Sequence, residues 1–104
     1  MGTNPQSYAV QVEHIMSKVF FCDRSGVGGL VSSDYIRRNP FLAMICTLSY
    51  LSGRNGVRID QKFSNFFREY NCYSSLSLDE LVGLDGRIPN AIVSEFRELC
   101  EESL

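Results

Sequence analysis

The segment Phe41-Leu-Ala-Met-Ile-Cys-Thr-Leu-Ser-Tyr-Leu51 runs for eleven residues without a charged side chain. On a helical wheel it is apolar nearly all round, the pattern of a helix that other elements enclose. It falls well short of the roughly 20 apolar residues that a membrane-spanning helix needs, and Thr47 and Ser49 interrupt it. The rest of the chain must therefore supply its cover. The expectation is a central helix inaccessible from Phe41 to Leu51, with Ile45 and Leu48 in the core. Pro40 precedes the run, where proline suits a first helical turn and disfavours helical geometry at Asn39. A short helix starting at Ser32, Ser33 or Asp34 must accordingly stop at Arg38.

The cover is legible as helical stripes on both sides of this run. Asn4-Pro5 reads as a cap followed by proline at the first helical position, and Tyr8, Val12, Ile15, Met16 and Val19 then recur on one face. His14 and Lys18 fall on the opposite face, so the only histidine is expected in solvent. After a turn at Ser52 to Gly56, Asp60 reads as a cap, and Ile59, Phe63, Phe66, Phe67 and Tyr70 follow at helical spacing. Ser77-Leu-Asp-Glu80 has the pattern of a capping box and opens a short helix ended by Asp85-Gly86. A last helix beginning near Pro89 or Asn90 buries Ile92, Val93, Phe96, Leu99 and Cys100. The resulting expectation is an all-α fold, a small irregular bundle of five or six helices. At most a minor two-strand ribbon joins Leu30-Val31 to Val57-Ile59.

A chain of 104 residues has room for one such core, so residues 1–104 are read as a single helical domain. The N-terminal residues lack a basic region with an apolar run, and Gln6 stands where a myristoylation signal carries Ser or Thr. Cys22, Cys46, Cys72 and Cys100 lie more than twenty residues apart and form no Cys-x-x-Cys pair. They read as free, buried thiols of a cytoplasmic protein that does not associate with a membrane, and neither metal nor cofactor is expected.

The familiar catalytic chemistries find no footing. A nucleophilic Ser or Cys needs a base, and His14 sits on a polar helix face beside Glu13. Gly26-Val-Gly-Gly29 lacks the Lys-Ser/Thr of a phosphate loop, and its flanks read as helices. Nothing selects a catalytic pair from the twelve carboxylates. The stretch from Asp23 to Asp34 resembles an EF-hand calcium loop, with Asp23, Ser25, Gly28, Leu30 and Asp34 at matching positions. Val27 stands where an oxygen ligand belongs, however, and Asp34 replaces the bidentate Glu. The counterpart at Ser52 to Phe63 does not match. A plain interhelical loop is the expectation.

Charge is divided along the sequence. Residues 37–69 carry six cations against two carboxylates, a net of +4, whereas residues 76–104 carry two cations against seven carboxylates, a net of −5. Carboxylates near the end of a helix oppose its dipole, so local stability does not account for Glu98, Glu101 and Glu102. On the wheel Glu95, Glu98 and Glu102 form one stripe beside the buried face. The chain is therefore expected to be a non-enzymatic protein-binding domain, of immunity or antitoxin type, that covers a basic surface of a partner protein. Its candidate binding residues are Glu95, Glu98, Glu101 and Glu102, with Asp79, Glu80 and Asp85 as further carboxylates of the acidic end. Two alternatives remain: nucleic-acid binding through Arg37, Arg38, Lys62 and Arg68, and an EF-hand-like adaptor. A sequence pI near 5.3 weighs against nucleic acid, because such affinity comes from neutralising phosphates.

Overall fold

The computed structural model describes residues 5–21, 33–54 and 61–103. Six α-helices run through them: α1 (Pro5–Phe21), α2 (Ser33–Arg38), α3 (Pro40–Arg54), α4 (Gln61–Tyr70), α5 (Leu78–Leu84) and α6 (Arg87–Ser103). A short 3-10 turn, Asn71–Tyr73, follows α4, and there is no strand among the described residues. The fold is thus the all-α bundle that the spacing of the apolar side chains implies. The possible ribbon residues Leu30-Val31 and Val57-Ile59, the Asp60 cap, Cys22 and the body of the calcium-like loop lie outside the described residues.

Each helix contributes buried apolar side chains to one cluster, α2 through Ile36 alone among its described side chains. Tyr8, Val12, Ile15, Met16 and Val19 of α1 are buried, and α1 packs on α2, α3, α5 and α6. Its N-terminal turn is tied to the far end of the chain, where the Tyr8 hydroxyl donates to the Gly86 carbonyl at 3.2 Å. Ile36 is the buried side chain of α2. The Asn39 N–H closes α2 on the Tyr35 carbonyl at 2.8 Å, and the Asn39 carbonyl opens α3 by accepting from Ala43 at 3.1 Å. One residue therefore serves both helices, because the proline after it prevents α2 from continuing. From α6 the buried side chains are Pro89, Ile92, Val93, Phe96, Leu99 and Cys100.

The central helix departs from the expectation of complete enclosure. Phe41, Ala43, Met44, Leu48 and Leu51 are buried, and Thr47 is buried with its hydroxyl donating to the Ala43 carbonyl at 2.9 Å. Leu42, Cys46, Ser49 and Gly53 face outward, and Ile45 is only partly covered. Spacings of four, three and four residues put the first four on one side of α3, a side that no other described helix covers. The helix also continues through Ser52 and Gly53 to Arg54, where a turn is expected from sequence. Burial of the cysteines is likewise corrected: Cys46 and Cys72 are exposed and Cys100 is buried, and all three are free thiols.

The two C-terminal helices begin as local chemistry directs. The Ser77 hydroxyl accepts the Glu80 N–H at 3.3 Å while the Glu80 carboxylate accepts the Ser77 N–H at 2.8 Å, which completes the capping box. At the end of α5, Asp85 turns the chain, and its carboxylate accepts the Arg87 N–H at 3.0 Å. That bond starts α6 at Arg87, two residues earlier than Pro89. Proline fits there because N–H groups in the first turn have no partner within the helix.

Candidate functional site

The groove between α4 and α6 gathers three of the seven carboxylates of the acidic end. The two helices pack against one another, and α4 turns Phe66 into the core. That ring stacks on Phe41 of α3 with ring centroids 6.0 Å apart and meets Tyr70 edge-on at 5.3 Å. With the aromatic face turned inward, the opposite edge of α4 brings Lys62 and Asn65 beside α6. There they meet Glu95, Glu98, Leu99 and Glu102, and the six residues line an open cavity of about 240 Å³.

The carboxylates of this groove are held to different degrees. Glu95 accepts a hydrogen bond from the Tyr70 hydroxyl. Burial, and then that carboxylate, push the Tyr70 phenol well above its ordinary range, so it stays a donor. Lys62 Nζ donates to Glu102 Oε1 at 2.7 Å, a pair with both side chains more than half exposed and therefore screened by water. Glu98 is exposed and has no cation within ion-pair distance among the described residues. Three carboxylates and one ammonium leave the lining with a net charge of −2.

The remaining acidic residues lie elsewhere. Asp79 on α5 receives a forked contact from Arg37 of α2, with Nη2 to Oδ1 at 2.9 Å and Nε 3.2 Å from both oxygens. Glu80 is occupied by the capping box. Asp85 is drawn below the ordinary carboxylate range by the Arg87 side chain and then by the Arg87 backbone N–H. Glu101 is exposed on α6 but does not line the groove. Of the seven carboxylates marked in the sequence, the groove unites Glu95, Glu98 and Glu102.

Lys62, Asn65 and Leu99 complete the lining, with Tyr70 holding Glu95, and sequence reasoning placed none of them there. Lys62 and Arg37 belong to the basic middle segment, yet in space they meet carboxylates of the acidic end through α4–α6 and α2–α5 contacts. Arg38 pairs with Asp34 one turn back on α2, which also engages the last position of the calcium-like loop. The division of charge along the sequence is therefore partly cancelled in the fold.

Among the described residues, no three His, Cys, Asp or Glu side chains gather closely enough to hold a metal ion. His14 is exposed on α1, and no described helix is long and apolar enough to cross a membrane. Fold and groove together define a class by geometry: a small all-α bundle whose last helix walls an acid-lined groove. Compared with protein-family models, curated proteins and solved structures, the chain matches none of them.

Proposed function

We propose that the protein acts without catalysis, by binding a partner protein through the groove between α4 and α6, with a basic surface of the partner set against Glu95, Glu98 and Glu102. One observation carries the reading: three carboxylates converge on an open groove with a single cation facing them. Helix electrostatics gives no reason for acids so near the end of α6, and like charges one turn apart, Glu98 and Glu102, repel. An arrangement that local stability disfavours is the kind retained for recognition. An immunity- or antitoxin-type inhibitor acting inside the cell is the specific form of this reading.

Arg37, Arg38 and Lys62 are each paired with a carboxylate. Those pairs are exposed and weak, and Arg68 is in none of them; it is the acidic balance of the chain, with a sequence pI near 5.3, that weighs against the nucleic-acid alternative. The proposal is tested by affinity capture from the native host with the wild-type chain and with a variant carrying Glu95→Gln, Glu98→Gln and Glu102→Gln, followed by mass spectrometry. A protein retained by the wild type and depleted by the variant supports the reading. Equal capture by both, or capture dominated by nucleic acid, opposes it.

A further inference from the structure

We draw no further inference here: the strongest candidate, the uncharged outward face of α3 formed by Leu42, Cys46, Ser49 and Gly53, is an unpartnered helix face, and nothing in the structure shows what covers it.

Discussion

Phe66→Ala is expected to be among the most damaging single truncations in the chain. Phe66 is 1% exposed and touches three other rings: Phe41 stacked at 6.0 Å, Tyr70 edge-on at 5.3 Å and Phe67 edge-on at 6.3 Å. Truncating a buried Phe to Ala costs about 3 to 5 kcal/mol, because the transfer free energy is lost and the cavity collapses only in part. Phe66 also carries the ring contact between α4 and Phe41 of α3, which the truncation removes. Against a total stability of about 5 to 15 kcal/mol, the loss is a large fraction. At about 4 °C per kcal/mol, the lower end of the range for small domains, the midpoint should fall by about 12 to 20 °C. Thermal and urea unfolding followed by circular dichroism at 222 nm give both numbers. Phe67→Ala is the internal control, since that ring is only partly buried and its removal should cost about 1 kcal/mol. A Phe66→Ala loss below about 1 kcal/mol with an unchanged urea slope would refute the packing of α4 described above.

Three other outcomes follow from particular contacts. Ser77→Ala should cost about 1 kcal/mol by uncapping α5, and Glu80→Ala should cost less when made in that background than alone, because the two side chains form one box. Leu48→Asp should abolish cooperative unfolding, whereas Ile45→Asp, at the half-covered edge of α3, should leave a foldable protein; equal damage from both would contradict the orientation of that helix. Cys46 and Cys72 should alkylate readily in the native protein at pH 8 while Cys100 stays protected, since burial pushes its thiol up to about 12. With the folded value above the unfolded one of about 9, the Cys100 contribution is intact below pH 9 and lost as pH rises towards 12. Cys100→Ala should flatten that alkaline decline, and urea midpoints across the pH range would reveal it.

Features set by neighbours in sequence were the most legible. The capping box needs only Ser77 and Glu80 three residues apart, and the buried faces of α1 and α6 follow from their apolar spacing. The outward side of α3 was hidden because Phe41 to Leu51 is apolar all round, and a pattern without contrast does not say which side meets solvent. The start of α6 was misplaced because Asp85 caps Arg87 through a carboxylate two residues away, a signal fainter than the proline that follows it. At the candidate site, the stripe of Glu95, Glu98 and Glu102 was readable from α6 alone. The opposing wall was not, because Lys62 and Asn65 lie about thirty or more residues away in sequence and join it only through α4–α6 packing. Asp79, Glu80 and Asp85 were grouped with that stripe by sequence proximity, yet each is engaged locally or with α2.

The most direct test of the acid-lined groove is the association rate of the purified chain with its captured partner, measured by stopped flow across a range of salt. The variant carrying Glu95→Gln, Glu98→Gln and Glu102→Gln should fold normally. After Glu95→Gln the side-chain amide oxygen still offers Tyr70 an acceptor, and the exposed Lys62–Glu102 pair contributes little. The groove account predicts that wild-type association slows as salt rises, because exposed charges are screened beyond about 8 to 10 Å near physiological ionic strength. It also predicts that the variant associates more slowly at low salt, the two curves converging at high salt. Identical association rates for wild type and variant at every salt concentration would contradict it.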